Sequence, residues 1–236
     1  MTTTRRTALL AGLLYLSTHV TSVAAVAAYR TGLSGPGGTP DVGGGHAILV
    51  GVVLETLLAL GVLGTGVALL PLLRPRALLG AYAFSALRTL EAAVIAVGAV
   101  PMLALVALRG ASGDVDGPTT DAVGRGLVAV HEAAFLVGQG LVISVTTLVL
   151  AGALLRSAIV PPWIAVLGLV GGALVLVSNT AQVFGAVDRA GAVAGVLAVP
   201  VFAFEVAFAL YLIVRGVRTV EPEAADLPDR ARAAAV

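Results

Sequence analysis

The sequence predicts an all-α fold: a polytopic membrane helical bundle of six transmembrane helices with both termini in the cytoplasm. Three observations support this prediction. Hydrophobic residues make up 58% of the 236 positions and charged residues only 11%, whereas a soluble domain carries about 25% charged residues. Six apolar stretches are long enough to cross a bilayer. Arginines concentrate at one end of these stretches.

Each predicted span contains the roughly 20 residues that a hydrocarbon core about 30 Å thick requires. Residues 1–218 are therefore expected to form one six-helix transmembrane domain. The acidic, proline-containing and alanine-rich segment 219–236 is expected to be a disordered cytoplasmic tail. The predicted spans are, in chain order, residues 7–29, 46–70, 77–108, 125–153, 162–187 and 193–214.

Arginine placement predicts the orientation, because short loops that are rich in basic residues stay in the cytoplasm. One side of the predicted bundle carries seven arginines near the span ends: Arg5, Arg6, Arg74, Arg76, Arg156, Arg215 and Arg218. The opposite side carries four, Arg30, Arg109, Arg125 and Arg189, and most of the aspartates. The first side is expected to face the cytoplasm, as in a multi-pass protein of the bacterial inner membrane.

The N-terminus allows a second interpretation. Arg5 and Arg6, an apolar run and the segment Ala25-Val26-Ala27 resemble a secretory signal peptide with its cleavage site. The apolar run is longer than the usual core of a signal peptide and more spans follow it, so a retained first helix is favoured. Cleavage would leave five spans without changing the orientation of the others.

Composition and motifs exclude several functions. A net charge of +1 and the lack of a nucleic-acid-binding motif argue against nucleic acid as a partner. The absence of cysteine removes disulfides, iron–sulfur clusters and cysteine nucleophiles. No phosphate-binding loop, nucleophile elbow or zinc-protease motif is present. The lipid bilayer is the expected partner, and no cofactor is expected.

Each predicted helix contains polar side chains well inside its span. The candidates for ligand binding or proton titration are Glu55, Arg88, Glu91, Glu132 and Glu205. The polar residues expected to support them are Tyr15, His19, His131, Gln139, Asn179 and Gln182. Ionisable residues inside a membrane are functional candidates by default, because they are costly to keep there.

The insertion energies predict where these side chains point. A charge at the centre of a span costs about 2.5–3.5 kcal/mol, and each Leu, Ile, Phe or Val returns about 0.3–0.6 kcal/mol. A span can therefore insert with one charge, and Arg88 and Glu91 can partly neutralise each other because they are three residues apart. All five charged candidates are expected to face the bundle interior as one polar cluster in the middle and outer half of the membrane. Arg88 is expected to lie within salt-bridge reach of at least one carboxylate.

Structural roles remain open for several of these residues. Arg88 and Glu91 can form a buried structural ion pair, and Asn179 and Gln182 can hold helices together through hydrogen bonds. Ordinary polar or interfacial roles are expected for both His19 and His131. Four intramembrane carboxyls face a single intramembrane arginine, so at least one carboxyl should be protonated, hydrated, or paired with a cation or ligand. A metal site is disfavoured, because carboxylate-bridged metal bundles use Glu-x-x-His spacing and this spacing is absent from the predicted spans.

Several segments resemble one known family. They are Thr7 to Leu16, Leu54-Glu55, Leu70 to Arg74, Arg88 to Ala92, Val160 to Gly172, Phe204-Glu205 and Val214 to Gly216. Together they resemble the bacterial membrane family known as domain of unknown function 4386. The resemblance implies a six-helix domain in which Glu55, Arg88, Glu91 and Glu205 occupy positions that look like family motifs. It implies no activity.

Three hypotheses of function follow. The first is a protein that binds a small molecule or lipid at the Glu/Arg cluster, either as a binder or as an enzyme that uses a carboxyl as acid or base. The second is a proton- or cation-coupled transporter in which Glu55, Glu132 or Glu205 titrates. The third is a structural or regulatory subunit. A connected cavity beside the cluster would favour the first two hypotheses.

Overall fold

The computed structural model describes residues 2–35, 44–111, 117–189 and 191–218. These ranges contain helices and no strands. The helices are α1 (Thr3–Gly32), α2 (Gly44–Leu73), α3 (Leu78–Ala111), α4 (Gly117–Phe135), α5 (Ile143–Ser157), α6 (Pro162–Val183) and α7 (Ala192–Val214). A π-helical segment, Leu136–Val142, joins α4 to α5, so these two helices form one continuous span. The tail expected over residues 219–236 lies outside the described residues.

Within the described part of the chain, six helical spans are long and apolar enough to cross a membrane. The predicted all-α bundle of six spans is confirmed, and the chain is an integral membrane protein. The largest boundary difference concerns the fourth span, which begins at Gly117 and not at residue 125. Residues 117–124 are less apolar than the rest of the span, so hydropathy marked only the part that suits a hydrocarbon environment.

The six spans form a closed ring. Each helix packs against its neighbours in chain order, and α7 returns to pack against α1. A small residue allows this closure: a Cβ atom on Gly12 would lie only 2.7 Å from the carbonyl oxygen of Ala209. Small residues at such positions let helix backbones approach closely. The ring encloses the side chains that point inward from all six spans.

The start of α1 and the end of α7 lie at the same end of the bundle. Arg5 donates a hydrogen bond from Nη1 to the carbonyl oxygen of Leu212 at 2.9 Å and another from Nη2 to that of Ile213. A positive side chain is favourable there, because the last carbonyl groups of a helix are unpaired and carry partial negative charge. This end is called the basic end below. Its cytoplasmic location stays a prediction.

Apolar packing occupies both ends of the ring. Near the basic end, a core that includes Leu69, Leu154 and Phe208 is fully buried. Towards the other end, Ile48 and Met102 belong to a second buried apolar cluster. The polar side chains described next border both of these regions.

Candidate functional site

Arg88 of α3 is the centre of the larger polar group. Its side chain is only 5% exposed. Its Nη1 donates to both carboxylate oxygens of Glu91, at 3.1 and 3.0 Å, as expected for residues three apart on one helix. Its Nη2 donates to the hydroxyl of Tyr15 at 2.7 Å and lies 3.6 Å from Oε1 of Glu205. The expected contact between Arg88 and a carboxylate is therefore present twice.

Helix α1 supplies the opposite wall of this group. Tyr15 and His19 lie one turn apart on the stripe that begins at Gly12 and faces the ring interior. The guanidinium of Arg88 also lies over the Tyr15 ring, with its Cζ 5.0 Å from the ring centroid. Such a cation–π contact stabilises a desolvated arginine. We call Tyr15, His19, Arg88, Glu91 and Glu205 the Arg88 group.

The contacts of His19 favour one arrangement of its hydrogens. Its Nδ1 is 2.9 Å from the carbonyl oxygen of Tyr15, and because a carbonyl oxygen only accepts, this contact is a hydrogen bond when Nδ1 is the donor. Its Nε2 is 3.2 Å from Oε2 of Glu205. A lone pair on Nε2 would repel an ionised carboxylate, so this second contact is favourable when a proton lies between the two atoms.

A cavity of about 80 Å³ lies beside the Arg88 group. Its polar lining includes His19, Arg88, Glu91 and Glu205, and Gln139 of the π segment. One water needs about 10–15 Å³ of such volume, so the cavity has room for several waters or a small polar solute. The buried atoms Arg88 Nε and Gln139 Nε2 have no hydrogen-bond partner among the described residues.

A second histidine and carboxyl pair lies farther from the basic end. Glu55 of α2 accepts a hydrogen bond from the Tyr29 hydroxyl at 2.7 Å, and its Oε1 is 3.7 Å from Nε2 of His131. The other ring nitrogen of His131 lies 2.8 Å from the carbonyl oxygen of Gly98 and donates to it. All three side chains are buried. We call Tyr29, Glu55 and His131 the Glu55 group.

Gln139 lies between the two groups. It lines the central cavity and also a smaller cavity of about 10 Å³ that is bounded by Glu55 and His131. Its Oε1 accepts a hydrogen bond from Ser22 at 3.3 Å. Gln139 belongs to the π segment, and such segments occur frequently at functional sites because they redirect side chains that a regular helix would place elsewhere.

The profile of one protein family, described as "Domain of unknown function (DUF4386)", matches residues 10–216. The chain belongs to the DUF4386 family. The match contains every residue of both polar groups and confirms the family resemblance of the sequence. No curated protein and no solved structure matches the chain.

Of the five charged candidates in this DUF4386 domain, Glu132 is the one that lies outside both groups. The expected interior placement of Glu132 is wrong: its side chain is 60% exposed, and its Oε2 lies 3.6 Å from Nη1 of Arg189. Adjacent residues on a helix point about 100° apart, so His131 and Glu132 cannot both face the interior. The burial of His131 against Glu55 directs Glu132 outward, where Arg189 and solvent can pair with it.

Asn179 and Gln182 form a separate hydrogen-bonded group. Asn179 donates to the Ser144 hydroxyl at 3.4 Å and accepts from Gln182 Nε2 at 3.2 Å. The bond to Ser144 connects α6 to α5, which is the role expected of amides that hold helices together, whereas the bond from Gln182 lies within α6. The expected single polar cluster is therefore divided into the Arg88 group, the Glu55 group and this amide group.

Tyr29 was not predicted from the sequence, and neither was the contact of His131 with Glu55. A signal for Tyr29 was present, because Tyr15, Ser22 and Tyr29 recur every seven residues and so share one helical face. His131 was assigned to the interface because it lies near the end of its predicted span. The described residues of this DUF4386 domain contain no group of three or more side chains that could hold a metal ion.

Proposed function

We propose that this DUF4386 protein is a proton-coupled membrane transporter in which the Arg88 group binds and releases the coupling proton. The observation that carries this proposal is the contact between His19 and Glu205, because its geometry favours one proton between the two side chains. A proton held there would lie inside the ring of spans and beside a cavity.

Charge balance explains how that proton would couple to a conformational change. Arg88 contributes one positive charge, whereas Glu91 and Glu205 contribute two negative charges when both are ionised. With one proton shared by His19 and Glu205 the group is neutral. Loss of the proton leaves one uncompensated charge, which is costly in a buried site. The protonated and deprotonated states of the group therefore favour different conformations of the bundle around it. A change of pH, or a ligand that binds one conformation better, shifts the population towards that conformation.

Cavity size supports a transporter of protons and small polar solutes over a protein that binds lipid. Pockets for drug-sized ligands occupy about 300–1,000 Å³, whereas the central cavity measures about 80 Å³. Several waters or a small polar solute fit this volume.

The decisive experiment measures charge movement after a pH jump. Purified protein is reconstituted in liposomes on a solid-supported membrane, where proton binding to a site inside the membrane gives a transient current without any added substrate. We expect the wild type to give this current and Glu205→Gln to abolish it, because Gln cannot take up the proton and, beside Arg88, no longer attracts one to His19. Thermal unfolding of the variant in detergent confirms that it is folded.

The matched control is Glu132→Gln, the same substitution at a carboxyl on the outer surface. This variant is expected to give the wild-type current. A Glu205→Gln variant that folds and keeps the full current would contradict the proposal. It would favour a structural role for the Arg88 group.

A further inference from the structure

The Glu55 group repeats the arrangement found at His19 and Glu205. In both pairs the histidine donates from Nδ1 to a backbone carbonyl oxygen and turns Nε2 towards a carboxyl. At the contact of His19 with Glu205, a proton between the side chains avoids two facing lone pairs. The Nε2 to Oε1 distance in the Glu55 group is 3.7 Å, which is longer than a hydrogen bond of 2.7–3.2 Å. The two side chains of the Glu55 group therefore face each other without a direct hydrogen bond.

The two pairs lie at different depths along the bundle. Tyr29 and His19 are ten residues apart on α1, which corresponds to about 15 Å at 1.5 Å per residue. The Glu55 group is the one farther from the basic end. A proton that enters from that end of the bundle meets the Glu55 group before it meets the Arg88 group.

Gln139 and Ser22 occupy the space between the pairs. Ser22 lies three residues beyond His19 on α1 and donates to Gln139, and Gln139 lines both cavities. The buried Nε2 of Gln139 has no partner among the described side chains and backbone groups. A buried amide nitrogen normally has a hydrogen-bond partner, and waters in the two cavities are the groups that it can reach.

We infer that the Glu55 group is a second proton station, and that waters held by Gln139 and Ser22 carry protons between it and the Arg88 group. This inference rests on the proposed function. A proton leaves the carboxyl of Glu55 for a neighbouring water. Each water passes one proton on as it receives another, and the last hop protonates the His19–Glu205 pair. One O–H or N–H bond breaks and one forms at each hop, so no other reactant is needed.

Within the described ranges, few other charged or titratable groups face this route. Tyr29 of α1 donates to Glu55 and packs edge-to-face on the His131 ring, with centroids 4.8 Å apart. Arg88 and Glu91 of α3 border the far end of the route, together with Tyr15. Glu205 of α7 receives the proton. The guanidinium of Arg88 opposes a further proton beyond the His19–Glu205 pair, so the route ends there.

The test uses the rise time of the pH-jump current of the full-length protein in liposomes. Glu55→Gln keeps the side-chain shape and can still accept the Tyr29 hydrogen bond, but it cannot take up a proton. Gln139→Leu removes the amide that holds the waters. Both variants are expected to slow the rise by about tenfold or more, since one positioned proton-transfer group contributes about 10²–10⁴-fold. The total displaced charge should stay within about twofold of wild type, because the Arg88 group still binds its proton.

Matched controls are Glu132→Gln on the outer surface and Gln182→Leu in the separate amide group, and both should retain the wild-type rise time. If Glu205→Gln abolishes the current but folded Glu55→Gln and Gln139→Leu rise as fast as wild type, the relay is wrong and the proposed function stands. If the wild type gives no current, or Glu205→Gln keeps it, the proposed function is wrong and the relay is wrong with it. Should Gln139→Leu fail to fold, the Glu55→Gln result decides alone.

Discussion

At the scale of single residues, Arg88 determines the charge balance of the bundle interior. It is the cation that Glu91 contacts directly and that Glu205 approaches to 3.6 Å. Its removal would leave two buried carboxyls without this partner. Loss of one member of a buried ion pair typically costs about 3–5 kcal/mol, because the remaining charge stays desolvated.

Arg88→Leu is accordingly expected to lower the free energy of unfolding by about 3–5 kcal/mol. Unfolding by SDS titration of the detergent-solubilised protein measures this change. Arg109→Leu serves as a control, because the pair of Arg109 with Asp121 is partly exposed and such pairs contribute about 0–1 kcal/mol. Adding Glu91→Leu to Arg88→Leu should recover part of the loss. A loss of unfolding free energy for Arg109→Leu as large as that for Arg88→Leu would contradict this account.

The convergence of Arg88, Glu91 and Glu205 was predictable from the sequence. Each lies far from the ends of its span, so neither water nor lipid headgroups can solvate it, and the bundle interior is the remaining environment. Side chains near span ends are different, since they can also be satisfied at the membrane surface. His131 and Glu132 are two such residues, and their opposite placements depend on tertiary contacts with Glu55 and Arg189 that no local pattern encodes.

At the scale of helices, the contact between α1 and α7 closes the ring. Gly12→Ala is expected to destabilise the protein by about 1–3 kcal/mol, the usual range for overpacking, because its Cβ would lie 2.7 Å from the Ala209 carbonyl oxygen. Backbone atoms on the facing helix cannot rotate away as a flexible side chain can. Thermal unfolding in detergent should therefore show a lower midpoint than wild type.

Gly152→Ala is the control for this prediction. No atom lies within 4 Å of the position that its Cβ would take, and alanine is favoured over glycine within a helix by about 0.5–1 kcal/mol. This variant should unfold at or slightly above the wild-type temperature. A Gly12→Ala protein as stable as Gly152→Ala would show that the α1–α7 contact does not hold the ring closed.

The six spans were predictable, whereas the π segment was not. Span number follows from hydropathy and length, which are properties of the sequence alone. A π segment leaves hydropathy unchanged and arises where tertiary packing favours a wider turn. Here Gly138 packs against Val94 of α3 and Gly140 faces Asn179 of α6. The resulting placement of Gln139 between two cavities therefore required the folded structure.

At the scale of the whole molecule, the bundle is predicted to place its basic end in the cytoplasm. Seven arginines near the span ends support this orientation, and the hydrogen bonds from Arg5 to the last turn of α7 place both described termini on one side.

Cysteine labelling tests this orientation. The wild-type chain has no cysteine, so single cysteines report accessibility without background. In intact cells, Ser34→Cys should react with a membrane-impermeant maleimide, and Thr2→Cys and Thr219→Cys should react only after lysis. Labelling of both terminal cysteines in intact cells would reverse the predicted orientation.

The proposed function depends on the proton between His19 and Glu205, and ¹⁵N NMR of histidine-labelled protein in nanodiscs can detect it. The chain has three histidines, so single His→Gln variants assign every ring signal. In wild type, His19 should show a hydrogen on Nδ1 and a proton shared at Nε2. In Glu205→Gln, it should become a neutral ring with its hydrogen on Nδ1, while His46 stays unchanged. A His19 ring that carries its only hydrogen on Nε2, or that does not respond to Glu205→Gln, would contradict the account.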